Sequence, residues 1–287
     1  MNAPTITKEE LTSLVDFASH EAAVTTALTR AGKTPLGLVR LLSRYTSWNG
    51  YFGSAVASLS GKLGRCRGYF LDPEAPLLAV ADRSVYIASY FFDAARDEFD
   101  DRDTVHRDTH RCLAQSTLLS TINFFAKTDS SFTKIKQLNA KLAEPKWLLD
   151  LNRDVARGYG AYSTDSMRNA FHAMGYHLGS ELLADSEFSL IDSTLKAQWP
   201  KLVKHLQKDK VKIAGQEHLG YAWVQIHSGH GSAVEADHFK WASSGALRAL
   251  RFTPAKDQKA ARRALHDGFR AFAADHRKFF SAVNTAK

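Results

Sequence analysis

The sequence predicts an all-α protein folded as one helical bundle. Apolar residues recur with helical period along most of the chain. Hairpin signals and an alternating strand–helix rhythm are missing, so no sheet is expected. Low-complexity tracts, short repeats and hinge-like linkers are missing too, so the 287 residues are read as a single domain, 1–287.

Taken in order, Thr7-Lys8-Glu9-Glu10 reads as a capping box that opens a helix over residues 7–28. Pro35 starts a second helix that ends in the glycine-bearing region 61–68. The proline-rich LDPEAPLL is a connector, and a third helix follows over 81–98. After the acidic run 97–103, DEFDDRD, comes a helix carrying His106 and His110 towards Phe125. Further helices are expected at 132–142, 145–156, 164–182, 186–206, 216–252 and 254–283. Residues 211–214 suit a short strand, which by itself supports no sheet.

Composition narrows the function classes. Hydrophobic residues make up 44% and charged residues 24%, ordinary for a water-soluble globular chain. Cys66 and Cys112 offer neither a disulfide framework nor zinc-ribbon spacing, and read as reduced thiols. The first residues lack the basic and apolar regions of a secretory signal, and no apolar run would span a bilayer. A cytoplasmic location and no membrane partner are expected. The net charge of +8 is spread out, its densest cluster being KDQKAARR, and no nucleic-acid-binding signature accompanies it. No nucleic-acid partner is therefore expected. Phosphate-cradling loops and a nucleophile elbow are also missing, since GKLGRCRG fits neither pattern.

Histidines and carboxylates fall in three groups. The first is Glu98, His106 and His110; the two histidines are four apart and would share a helix face. The second is GYHLGSELLADSEF, where His177 and Glu181 are four apart among apolar neighbours, with Glu187 six further on. Burying Glu181 is costly unless it is paired or bound to a cation.

The third group is WVQIHSGHGSAVEADHFKWA, residues 223–242, with His227, His230, Glu235 and His238. Glu235 and His238 form the Glu-x-x-His arrangement of carboxylate-bridged di-iron bundles. On one ideal helix His227 and His238 would stand roughly 16 Å apart, too far to serve neighbouring ions. A π-bulge at Gly229–Gly231 would instead set His230 one turn before Glu235. Neutral imidazole with carboxylate suits iron, with manganese or zinc as alternatives.

In their order, these groups resemble the haem-oxygenase-like di-iron oxidases and oxygenases over residues 80–250. ADRSVYIASYFFDAARDEF is similar to that family's first ligand helix, ending at Glu98, and GYHLGSELLADSEF to its middle one, with Glu181. Glu235 and His238 match the end of its last motif, His-x-x-x-(Asp/Glu)-x-x-His; the position of the first histidine holds Gly231, flanked by His230 and, further off, His227. The resemblance implies a bundle of about seven core helices, two Fe(II) ions and O2 as co-substrate. Its implied ligands are Glu98, one of His106 and His110, Glu181, one of His227 and His230, Glu235 and His238. It also implies a small substrate derived from an amino or fatty acid, and admits an external electron donor and a homodimer. The competing reading is a metal-free thiaminase-like hydrolase, or a haem- or small-molecule-binding protein, on the same scaffold.

Overall fold

A computed structural model describes residues 5–71, 80–100, 108–228 and 234–285; for residues 80–82, 185 and 234–237 it describes the backbone alone. The described chain is mostly helical, as the periodicity predicts.

The Thr7 hydroxyl accepts from Glu10 N–H and caps α1 (Lys8–Thr12). The Glu10 carboxylate turns away to Arg262 and His266, so only half of the capping box forms. The single helix expected over 7–28 is two, because Asp16 caps a fresh start at Ser19 N–H and opens α2 (Phe17–Ala31). Likewise the long second helix divides at Gly50 and Tyr51. The halves are α3 (Pro35–Asn49), with Thr34 as cap and Pro35 at its start, and α4 (Phe52–Arg65). Most of the LDPEAPLL connector lies outside the described residues. The predicted third helix is α5 (Val80–Phe99).

Thr109 is extended and caps Cys112 N–H, so α6 (His110–Ala126) begins at His110 itself. The helix face expected to carry both His106 and His110 is thus not part of α6; His106 lies outside the described residues. A 3-10 turn (Ser130–Thr133) leads to α7 (Ile135–Leu142), and then comes α8 (Lys146–Gly158). The two helices expected over 164–206 merge into one continuous α9 (Met167–Gln198). Nothing in Leu183-Ala184-Asp185 breaks a helix, and the chain stops only at Trp199 before α10 (Pro200–Leu206).

The expectation of no hairpin is overturned. β1 (Lys210–Ile213) and β2 (Gln216–Leu219) pair antiparallel, Val211 opposite His218. The turn between them, Ala214 and Gly215, takes φ of 50° and 89°, which a two-residue hairpin of this hand needs and glycine accepts readily. The helix expected over 216–252 is therefore strand β2, then α11 (Ala222–His227) and α12 (Val234–Arg251). Because α11 ends at His227, no continuous helix joins His227 to His238, and the predicted bulge at Gly229–Gly231 lies outside the described residues. The chain closes with α13 (Gln258–Ala282).

Helix α9 is the hub, lying along α13 and α12 and touching α2, α10 and α11, while α4 pairs with α5. α9 and α13 meet backbone to backbone at two glycines. A methyl on Gly175 would overlap the Leu265 carbonyl, and one on Gly268 would overlap the His172 carbonyl. Trp48 stacks on Phe279 at 4.4 Å, and Tyr45, Phe188, Trp223 and Phe272 extend that aromatic layer. Cys66 and Cys112 are free thiols. Among the described residues no helix is long and apolar enough to cross a membrane.

Candidate functional site

Five helices direct histidines and carboxylates into one buried cluster. The last turn of α5 carries Asp97 and Glu98, and the first residue of α6 is His110. One turn of α9 carries His177, Ser180 and Glu181; α11 ends on His227, and α12 carries His238. Each position has a local cause. Gly53 on α4 leaves the space that Glu98 occupies, since a Cβ there would stand 3.0 Å from Glu98 Cβ. The start of α6 is held by the hairpin, whose His218 Nδ1 lies 2.8 Å from Asp108 Oδ1, two residues before His110. Ser116 donates to Leu219 O at 2.9 Å and ties α6 to the same hairpin.

Within the cluster every imidazole meets a carboxylate or a carbonyl. His110 Nδ1 lies 3.1 Å from Glu98 Oε2, and His177 Nδ1 lies 3.2 Å from Glu181 Oε1. His238 stands between two acids, with Nε2 at 2.9 Å from Asp97 Oδ2 and Nδ1 at 3.4 Å from Glu181 Oε2. His227 Nδ1 donates to the Trp223 carbonyl at 2.7 Å, which leaves Nε2 as the acceptor nitrogen. Its ring stacks on Phe188 at 4.4 Å and meets the His110 ring at 4.6 Å. Tyr159 contacts His177 Nδ1 at 3.1 Å and Ser180 Oγ at 2.9 Å.

Charges follow this layout. Burial alone would raise the Glu98 carboxyl, but attraction and a hydrogen bond from His110, with help from His238 and His227, bring it down to about 2. Burial, reinforced by His110, lowers His227 to about 3. Burial also lowers His177 against the pull of Glu181, and raises the Tyr159 hydroxyl well above its ordinary value. His177 Nε2 is buried and has no hydrogen-bond partner among the described residues. Beside the cluster lies a cavity of about 30 Å³, with Trp48, Phe52, Phe188 and Phe272 on its apolar side and Glu98, Glu181, His110 and His227 on its polar side. It has room for one or two water-sized molecules.

The donor types fit iron: hard carboxylate and borderline imidazole. Two ligands each about 2.1 Å from one ion stand about 3.0 Å apart at a right angle and about 3.4 Å apart in a tetrahedron. The Glu98–His110, Glu181–His177 and Glu181–His238 separations of 3.1, 3.2 and 3.4 Å are of that size. They do so as pairs. Among the described residues no group of three or more His, Cys, Asp and Glu side chains has a geometry that would hold a metal ion as it stands.

Of the candidate ligands, Glu98, His110, Glu181, His227 and His238 are brought together. His106 and His230 lie outside the described residues, and Glu235 is placed only as a backbone position on α12, three residues before His238. Spacing alone missed Tyr159, for which the sequence carries no signal. It also passed over Asp97, hidden in an acidic run that reads as a solvated loop.

No protein-family model matches the chain, and neither a curated protein nor a solved structure matches it.

Proposed function

We propose that this chain is a non-haem di-iron oxidase or oxygenase acting on a small organic substrate. One observation carries the reading: Glu98, His110, Glu181, His227 and His238 come from five different helices and still meet in one buried cluster beside a cavity. Buried carboxylates and imidazoles are costly unless paired, and a cluster of such pairs gathered beside a cavity is where a cation or a reaction is commonly served.

Glu98 with His110 would hold one ion, His106 being the alternative to His110. Glu235, His238 and one of His227 and His230 would hold the other, and Glu181 would bridge or add to either. Two ferrous ions would supply the electrons that activate O2 for attack on a carbon or nitrogen of the substrate; manganese is the alternative metal. The chain's own part is positional. Asp97 holds His238 through Nε2, the Trp223 carbonyl holds His227 through Nδ1, and both bonds orient a ring. Trp48, Phe52, Phe188 and Phe272 form the apolar side of the cavity.

The thiaminase-like hydrolase alternative would want a nucleophilic cysteine. Burial, with Asp165 nearby, pushes the Cys66 thiol up, which is the wrong direction for a thiolate. The test is anaerobic loading with Fe(II), then O2 consumption in the presence of small amino-acid- and fatty-acid-derived carboxylates. Substrate-dependent O2 uptake by the iron-loaded protein supports the proposal; O2 uptake that no added iron stimulates contradicts it.

A further inference from the structure

A second line of buried polar groups runs away from the same cavity. Tyr45 on α3 donates its hydroxyl to Glu187 Oε2 at 2.9 Å, and both residues line the cavity. Glu187 Oε1 lies 3.3 Å from Nε2 of His276 on α13. His276 Nδ1 lies 3.4 Å from Nδ1 of His20 on α2. All four side chains are buried, Glu187 to 2% and His276 to 1% exposure. Trp48, Phe272 and Phe280 surround the His276 ring and exclude water from it. At the outer end, His20 sits within the field of Asp16, which caps α2, and of Arg277, whose guanidinium donates to Ser19 Oγ at 2.7 Å.

A carboxylate, two imidazoles and a phenol threaded through an aromatic core from four helices are costly to bury, and packing does not require them. From this geometry we infer that His20, His276 and Glu187 form a proton conduit between the α2–α13 surface and the cavity, with Tyr45 holding Glu187 in place. The inference rests on the di-iron reading for what consumes the proton, not for the conduit itself.

The transfer balances without a net change in the chain. A proton enters at His20 Nε2, and His20 gives its Nδ1 proton to His276 Nδ1. His276 gives its Nε2 proton to Glu187 Oε1, so each ring stays neutral. Glu187, now a carboxylic acid, releases the proton to an acceptor in the cavity and returns to carboxylate. The transfer leaves His20 protonated at Nε2 and His276 at Nδ1, and tautomer exchange of both rings resets the line. The His276–Glu187 contact is close but not aligned as a hydrogen bond, so a small turn of the His276 ring gates the last step. Burial, with His276 and Arg277 close by, lowers His20 to about 4 and keeps its ring neutral at neutral pH, as a relay of this kind needs.

Histidine-labelled ¹⁵N NMR tests the conduit without any metal. In the wild type, N–N coupling is expected across the His20–His276 contact. The His276 ring protons should exchange with solvent faster than the amides of α9 and α13. His20→Phe should slow that ring exchange by about tenfold or more while amide protection stays unchanged. Unchanged ring exchange in His20→Phe, or ring exchange that simply follows the α13 amides, overturns the conduit.

Glu187→Gln supplies the functional arm. It should take up Fe(II) like the wild type yet turn over O2 about a hundredfold more slowly, with a flattened pH profile. Normal turnover in an iron-replete Glu187→Gln also overturns the conduit. If the wild type takes up no iron, the di-iron reading fails, and the exchange measurement decides the conduit alone.

Discussion

The Nε2 of His238 on α12 lies 2.9 Å from Oδ2 of Asp97 on α5, so the carboxylate that orients this histidine comes from the helix across the cluster. The other ring nitrogen faces Glu181 Oε2 at 3.4 Å. An imidazole held at one nitrogen by a carboxylate presents its second nitrogen in a defined direction with raised basicity, as in carboxylate–histidine–metal triads. Asp97 and Glu98 are neighbours in sequence, yet they meet different histidines, His238 and His110.

Asp97→Asn should therefore weaken metal binding without removing a proposed ligand. The expected loss is about 10- to 100-fold in Fe(II) affinity, read by anaerobic competition with a chromophoric chelator. Wild-type affinity would mean that the Asp97–His238 contact does not orient a ligand.

At the α9–α13 crossing, Gly268→Val should be severe, since the added side chain meets the His172 backbone and neither helix can give way alone. A loss of about 3 kcal/mol or more in urea denaturation is expected. Gly215→Ala in the hairpin turn meets open space but adopts φ of 89°, so a smaller loss of about 1 kcal/mol is expected there. Equal effects at the two sites would count against the close approach of the helices.

Acid stability reports on His20. Its pKa is lowered from 6.5 to about 4, so the unfolded chain binds more protons between those values and stability rises with pH across that window. As pH falls from 6.5 to 4 the wild type should lose stability through His20, and below 4 the loss stops growing. His227 shifts the same way, so the check is a difference: His20→Phe should lose less stability than the wild type between pH 7 and 4.5. Parallel pH dependence in the two proteins would remove His20 as the cause.

His227→Phe separates packing from ligation. Phenylalanine keeps the ring stacked on Phe188 and leaves no cavity, so the melting temperature should fall little. If His227 is a ligand, iron stoichiometry should drop by about one ion per chain. A large loss of stability with full iron uptake would make His227 a core residue only.

The helical class and the pairing of His177 with Glu181 were legible because helical spacing alone decides them. Helix breaks were harder to read. Asp16 ends one predicted helix by capping the next, and the predicted break at Leu183-Ala184-Asp185 does not form because nothing in it stops a helix. The hairpin was missed because its turn is Ala214-Gly215 rather than Asn-Gly or Asp-Gly, and its strands hold four residues each. In the site, the residues on helix interiors could be chosen from spacing. Asp97, Tyr159, Tyr45 and His276 could not, because each acts through a partner more than ten residues away in the chain.

Two iron ions in the cluster would be seen by diffraction at the iron absorption edge from anaerobic Fe(II)-soaked crystals. Two anomalous peaks about 4 Å apart or closer are expected. Both should lie among Glu98, His110, Glu181, His227 and His238, and be diminished in His238→Ala. No iron peak among those residues, or iron bound only at surface histidines, would contradict it.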